Sequence, residues 1–190
     1  MPIAFYKPNK KITGCLCGVS FDSRVDGHQA VFFELVKQTG WDKKRDNGTF
    51  KDGDKLILKF GLHEVARLIS AMDRKEDVKF YHDSPAAKSS ITFQPVKNKE
   101  DGSLRGFGLS VYRTAKDGDK SKFSIMFAVN KSSDEALQLR EYLKFSMNHI
   151  FNGIHYKDVA LKKKAAAQRE SVSQEQKKTN KADTKAEPDW

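Results

Sequence analysis

The sequence has few cysteines and no long apolar run. Its two cysteines, Cys15 and Cys17, are two positions apart, so on a strand they share one face and are poorly placed to form a disulfide with each other. No apolar run reaches the roughly 18 to 20 residues that span a bilayer, and the start, MPIAFYKPNKK, lacks the basic-then-apolar order of a secretory signal. We therefore expect a soluble intracellular protein without membrane contact.

The motifs of common catalytic and metal sites are also missing. The chain has no glycine-rich phosphate loop, no nucleophile elbow and no His-Glu metal motif. Its five histidines are scattered, without the paired spacing of a zinc site. Two Asp-Gly-Asp segments suggest calcium or magnesium, but the first has His63 where an EF-hand needs glutamate, and a turn is the simpler explanation of both. We predict a non-enzymatic protein without metal or cofactor; a DNA-processing enzyme is the less favoured alternative.

The chain has an excess of positive charge. The formal net charge is +10 and the isoelectric point is near 9.5, which favours polyanionic partners, either nucleic acid or an anionic membrane. The 38% hydrophobic content is enough for one ordinary core. Charge alone does not choose between the partners.

A pattern of strands followed by one helix occurs twice. The segment KDGDK at 51–55 precedes an apolar strand and an amphipathic helix, and the same letters return at 116–120 before another strand and helix. Alternating residues predict strands at 3–6, 11–21, 30–37 and 55–60, then from 78 and at 90–96, 106–113 and 123–129. Each KDGDK is predicted to be a tight turn, and 38–49 a long hairpin loop.

The second helix is predicted over 132–151, and the chain changes character after it. Ser132 and Glu135 have the spacing of a capping box, and Gly153 is a plausible helix end. From 161 onwards there is no aromatic residue until Trp190, so this part cannot bury enough surface to order itself. We predict one domain over 1–156, with repeats at about 1–76 and 77–154, and a flexible tail over 157–190.

The predicted class is α+β: two tandem units of a four-stranded antiparallel sheet closed by a helix, plus a disordered C-terminal tail. This order, in a basic chain of this size, resembles the Whirly family of single-stranded DNA-binding proteins, and one unit resembles the positive cofactor of eukaryotic transcription; similar proteins occur in phages. The resemblance covers about 1–154 and rests on topology and internal symmetry.

The resemblance implies a protein that binds single-stranded DNA with little sequence preference along its sheets, usually as a homo-oligomer. Such a protein would act in replication, recombination or transcription, in the cytoplasm, at the nucleoid or in an infected host cell. An RNA-binding or RNA-annealing protein of the same fold is the alternative.

Binding single strands without reading sequence needs cations along the phosphates and aromatic faces under the bases. The aromatic candidates are Phe5, Tyr6, Trp41, Phe80, Tyr81 and Tyr112. The basic candidates are Lys10, Lys11, Lys43, Lys44, Arg45, Lys97, Lys99, Arg105 and Arg113. Adjacent aromatic residues on a strand face opposite ways, so one member of each Phe-Tyr pair is expected to be buried. Trp41 either stacks on DNA or anchors its loop.

The last residues form a separate candidate site. Glu187, Pro188, Asp189 and Trp190 make an acidic tip with a terminal aromatic ring. This tip resembles the partner-recruiting C-terminus of bacterial and phage single-strand-binding proteins, which implies a replication or repair enzyme as partner. An uninvolved chain end is the alternative.

Overall fold

The structure is a computed structural model that describes residues 2–24, 27–130 and 134–183, with the backbone alone for 52–54, 166 and 169–183. The first half comprises β1 (Ile3–Lys7), β2 (Cys15–Asp22), β3 (Ala30–Asp42), β4 (Asn47–Phe60) and α1 (Leu62–Arg74). The second half comprises β5 (Val78–Asp83), β6 (Ala87–Lys97), β7 (Leu104–Ala115), β8 (Lys120–Ala128) and α2 (Glu135–Asp183).

Each half forms its own antiparallel sheet in chain order. Sheet 1 has the order β1-β2-β3-β4 and sheet 2 the order β5-β6-β7-β8, so every neighbouring pair of strands is a hairpin. The buried and exposed residues alternate along the strands, as in β5, where Val78 and Phe80 are buried and Lys79 and Tyr81 are exposed. The predicted α+β class, with four antiparallel strands before each helix, is confirmed.

One hydrophobic core joins the two halves. The inner faces of both sheets and the apolar stripes of both helices belong to a single cluster of buried residues. Aromatic rings cross the boundary: the ring centroids of Phe5 and Phe127 are 4.9 Å apart, and those of Phe60 and Phe80 are 5.6 Å apart. Both sheets therefore turn one face to the core and leave the other to solvent.

The first KDGDK segment is not a turn, contrary to prediction. Residues 51–55 lie within β4, because β3 continues to Asp42 and the hairpin turn falls at 43–46. Val36 pairs with Lys55 and Gln38 with Phe50, so β4 carries extra residues at this point. The second copy does form a tight turn, in which the Gly118 amide donates to the Ala115 carbonyl. The repeated letters therefore do not mark equivalent structures.

Helix α2 does not end at Gly153, contrary to prediction, but continues to Asp183. A Cβ at Gly153 would lie 2.4 Å from the Ser23 carbonyl oxygen, so this glycine permits a close approach of helix and loop. Whether 157–183 is mobile stays a prediction. No helix within the described ranges combines the length and hydropathy needed to cross a membrane.

The predicted capping box of α2 depends on Ser132, which lies outside the described residues. The Glu135 carboxylate contacts two other groups. One of its oxygens accepts a hydrogen bond from the Ala128 amide at 2.9 Å, and the other pairs with the Lys7 ammonium at 2.5 Å. Glu135 thus ties the start of α2 to β8 and to the end of β1.

Candidate nucleic-acid interface

The predicted Phe-Tyr pairs separate into buried and exposed members. Phe5 and Phe80 are only 3% and 6% exposed and belong to the core, so their rings cannot stack on a base, and the prediction that they contact nucleic acid is wrong. Tyr6 and Tyr81 are 44% and 62% exposed, because their neighbours on each strand take the inward positions. The pairs contribute one tyrosine to the outer face of each sheet.

Two exposed tyrosines and a lysine lie in one row across sheet 2. Tyr81 pairs with Ser90, Ser90 with Tyr112 and Tyr112 with Lys122. Tyr112 is 54% exposed, and the Lys122 ammonium lies 4.9 Å from its ring centroid. Tyr81 and Tyr112 are two strands apart, which corresponds to about 9.6 Å across the sheet.

The rows on either side add lysines and small hydroxyl residues. One is Lys79, Thr92, Ser110 and Ser124; the other is Asp83, Lys88, Thr114 and Lys120. With Lys122, these rows carry four lysines against one aspartate, and that aspartate pairs with Lys88 at 3.6 Å. We call the outward residues of these three rows the tyrosine face. It carries more positive than negative charge and has two aromatic rings in its central row.

A loop held by side-chain hydrogen bonds borders this face. Residues 8–14 connect β1 to β2, and Asn9 Oδ1 accepts hydrogen bonds from the amides of Lys11 and Thr13. The predicted strand from 11 therefore begins only at Cys15. These bonds satisfy backbone donors that a ladder would otherwise satisfy, so the loop is held without strand pairing.

The buried side chain of Gln38 fixes the base of the same loop. Its Oε1 accepts from the amides of Asn9 at 2.9 Å and Gly14 at 3.2 Å, and its Nε2 donates to the carbonyls of Asn9 and Gly40. A Cβ on Gly14 would lie 2.3 Å from Gln38 Oε1, so the loop fits only around a glycine. Gln38 thus links the loop to the β3–β4 hairpin.

Ile12 projects from this loop in an unusual conformation. It has a φ of +56°, which is rare for a β-branched residue, and its side chain is 47% exposed. Such a conformation costs on the order of 1 to 3 kcal/mol and persists only where the surroundings impose it. The hydrogen bonds of Asn9 and Gln38 supply that constraint.

Two adjoining cavities lie between the loop and sheet 2, and we call them together the loop groove. One, of about 380 Å³, is lined by Ile12, Lys37, Lys122 and Phe123 among others. The other, of about 480 Å³, extends along the outer face of sheet 2 to Ser110. Both are lined by Thr13, Gly14, Cys15 and Ser124. The loop groove therefore continues the tyrosine face towards sheet 1.

The predicted Trp41 cluster lies on the β3–β4 hairpin. Trp41 is half-buried within β3 rather than in a loop, and the Lys10 ammonium lies 5.7 Å from its ring centroid. Exposed Lys43, Lys44 and Arg45 form the turn beyond it. Lys11 is exposed on the neighbouring loop.

Tyr6 is braced against the same hairpin. Its hydroxyl lies 2.7 Å from Asn47 Oδ1, and its ring centroid is 5.2 Å from that of Phe50. The structure thus brings Tyr6, Lys10 and Trp41 to one end of sheet 1. Whether Trp41 stacks on a base stays a prediction.

The remaining basic candidates lie elsewhere. Lys97, Lys99 and Arg105 surround the β6–β7 hairpin, and Lys97 is seven residues along β6 from Ser90, or about 23 Å. Arg113 lines a cleft of about 530 Å³ with Lys55 and Lys59, on the side of sheet 2 opposite Tyr112. The structure does not bring these residues to the tyrosine face.

Sequence reasoning missed several residues of the interface, namely Ile12, Gln38, Lys79, Lys88, Lys120 and Lys122. Four of them are lysines on the tyrosine face, and strand alternation could have found all four. Lys79 is two residues from Tyr81, Lys88 is two residues from Ser90, and Lys120 and Lys122 continue the outward phase of β8. Ile12 and Gln38 have no such signal, because their roles depend on a loop and a long-range contact.

Cys15 lines both cavities without being a reactive group. Its burial raises the pKa of the thiol to about 11, and burial also raises the pKa of Cys17. Both cysteines are free and buried.

Within the described part of the chain, no group of three or more histidine, cysteine or acidic residues could hold a metal ion. The predicted partner site at Glu187, Pro188, Asp189 and Trp190 lies outside that part.

Comparison with known proteins gives no match for this chain. No family model, no curated protein and no solved structure matches it. The interface is therefore interpreted from its own geometry and charge.

Proposed function

We propose that this protein binds single-stranded DNA with little sequence preference, and that the strand lies across the tyrosine face. The observation that carries the proposal is the row of Tyr81, Tyr112 and Lys122, in which two exposed rings and a cation follow one line across sheet 2. On a basic sheet, exposed aromatic rings can stack on unpaired bases and lysines can pair with the phosphates.

The spacing of the rings favours an extended single strand. Tyr81 and Tyr112 are about 9.6 Å apart across the sheet, whereas bases in duplex DNA rise only about 3.4 Å per step. Two neighbouring bases that stack on these rings must therefore be farther apart than in a helical stack. A paired duplex keeps its base faces covered, so we expect it to bind the same surface through phosphates alone.

The three rows of the tyrosine face carry no arginine, asparagine or glutamine. Sequence readout relies mainly on bidentate contacts from arginine to guanine and from asparagine or glutamine to adenine. The three rows present lysines, tyrosines, serines, threonines and one aspartate. Stacking and phosphate contacts are available to every nucleotide, which supports sequence-tolerant binding.

A Whirly-like arrangement is part of the same proposal. Two units of four antiparallel strands and a helix support it. The proposal also includes assembly into a homo-oligomer and a role in replication, recombination or transcription. In that role, the C-terminal tip recruits a replication or repair enzyme.

Fluorescence anisotropy with labelled oligonucleotides of about 16 nucleotides tests the proposal. The strands are a homopolymeric DNA, a mixed-sequence DNA, the matching RNA and the duplex. Both DNA single strands should bind with similar affinity, more tightly than the duplex, and more weakly as salt rises. Equal or tighter binding of the duplex would contradict the proposal, and a clear preference for RNA would favour the RNA-binding alternative.

A further inference from the structure

Ile12 is an apolar side chain held in water by a loop built around it. The loop positions it through Asn9, whose side chain accepts the amides of Lys11 and Thr13, and through the buried Gln38. Ile12 is not part of the hydrophobic core. Its role is therefore to be sought on the surface.

The backbone conformation makes isoleucine an unfavourable choice for a purely structural role. Asparagine and glycine adopt a positive φ far more readily than a β-branched residue does. Either would fit the same loop with less strain, since the Ile12 side chain is 47% exposed and supports little. The isoleucine side chain is thus exposed although its backbone conformation is unfavourable and the contact of apolar surface with water is unfavourable too.

The residues around Ile12 include cations and aromatic rings, the groups that bind the phosphates and bases of a single strand. It lines the loop groove together with Lys37 and Lys122. The Lys122 ammonium lies over Tyr112, and the Lys37 ammonium lies 4.7 Å from the ring centroid of Phe123. An apolar side chain therefore lines the same cavity as two cations, one of which lies over a ring of the tyrosine face.

We propose that Ile12 is a wedge that inserts between two neighbouring bases of the bound strand, next to the base that stacks on Tyr112. Branched apolar side chains enter base steps in this way in proteins that unstack nucleic acid. Lys37 and Lys122 hold the phosphates on either side of the separated step. The inference rests on the proposed single-strand binding and adds that the strand is unstacked at one fixed place.

Two variants of Ile12 distinguish a role in binding from a role in the stability of the fold. Ile12→Asn and Ile12→Gly remove the branched apolar group and tolerate the positive φ, so we expect thermal stability that is equal to or higher than that of the wild type. We expect the affinity for single-stranded DNA to fall about fivefold or more. Leu161→Asn is the matched control, because Leu161 is 55% exposed on α2 and its replacement should leave affinity unchanged.

The experiment combines binding with a reporter of stacking. Single strands that carry one 2-aminopurine at successive positions are bound to the full-length wild type and to each variant, and their fluorescence is recorded. The wild type should raise the fluorescence strongly, because a base beside the wedge loses a stacked neighbour, and Ile12→Asn should abolish the rise. Unchanged affinity and fluorescence in both Ile12 variants, with Tyr112→Ala still weakening binding, would overturn the wedge and leave the proposed function intact. A wild type that binds no single strand would overturn both.

Discussion

The ammonium of Lys122 lies 4.9 Å from the ring centroid of Tyr112, its cross-strand partner on the outer face of sheet 2. This contact places a cation beside a stacking platform, so a base on the ring and its phosphate can be held together. It also connects the tyrosine face to the loop groove, whose wall includes Lys122.

Replacing Lys122 should weaken binding mainly by removing a phosphate contact. For Lys122→Gln we expect the slope of the logarithm of affinity against the logarithm of salt concentration to fall in magnitude by about 0.7, the value for one contact on a single strand. Lys97→Gln is the matched control, since Lys97 is exposed at the far end of the sheet. Anisotropy titrations over a range of salt measure both slopes, and an equal change in both variants would contradict the assignment of Lys122.

The neighbours Phe80 and Tyr81 should separate stability from binding. Phe80→Ala removes a core ring and should lower the free energy of unfolding by about 3 to 5 kcal/mol. Tyr81→Ala removes an exposed ring and should change stability by about 0.5 kcal/mol or less while weakening single-strand binding. Urea unfolding and anisotropy on both variants test this. A Tyr81 variant with full affinity would show that its ring takes no part.

Gln38 should be needed for the loop. Gln38→Ala leaves the amides of Asn9 and Gly14 without their acceptor, which should cost about 1 to 3 kcal/mol of stability. Hydrogen exchange at these two amides should become faster in the variant. Thr39→Ala, at the exposed next position, is the control. Unchanged exchange at both amides would show that the loop does not depend on the buried side chain.

Gly153→Ala should destabilise the protein although it raises helix propensity. In an exposed helix, this change would stabilise by about 1 kcal/mol. Here the new Cβ would lie 2.4 Å from the Ser23 carbonyl oxygen, so the helix and the loop must separate. Thermal unfolding of the variant should show a lower midpoint, whereas exposed Asn152→Ala should not lower it. A higher midpoint for Gly153→Ala would mean that this contact is absent in solution.

The strands could be predicted because their alternation is local. The outward phase of Tyr112 follows from a period of two, and so does the burial of one member of each Phe-Tyr pair, although the period does not say which member. The place of the first KDGDK segment within β4 could not be predicted, because it depends on the pairing of β3 with 47–50 and not on a local pattern. The role of Gly153 could not be predicted either, since its close approach to Ser23 joins distant parts of the chain.

The sequence predicts the type of surface, but it does not predict which residues share it. Composition and alternation indicate a basic sheet with exposed aromatic rings, which is the kind of surface found on sheet 2. Which basic residues share that surface depends on cross-strand register, and register brings Lys122 to Tyr112 while leaving Lys97 and Arg113 elsewhere. The loop that carries Ile12 depends on hydrogen bonds from Gln38, which no local pattern predicts.

The most direct test of the central claim is single-strand affinity after removal of both rings of the tyrosine face. Each stacked base contributes about 1 to 3 kcal/mol, so Tyr81→Ala with Tyr112→Ala should weaken binding of a mixed-sequence DNA single strand by at least about 30-fold. Tyr156→Ala, which removes a tyrosine that is 69% exposed on α2, should leave affinity unchanged. If the double variant binds as tightly as the wild type, the strand does not lie on the tyrosine face.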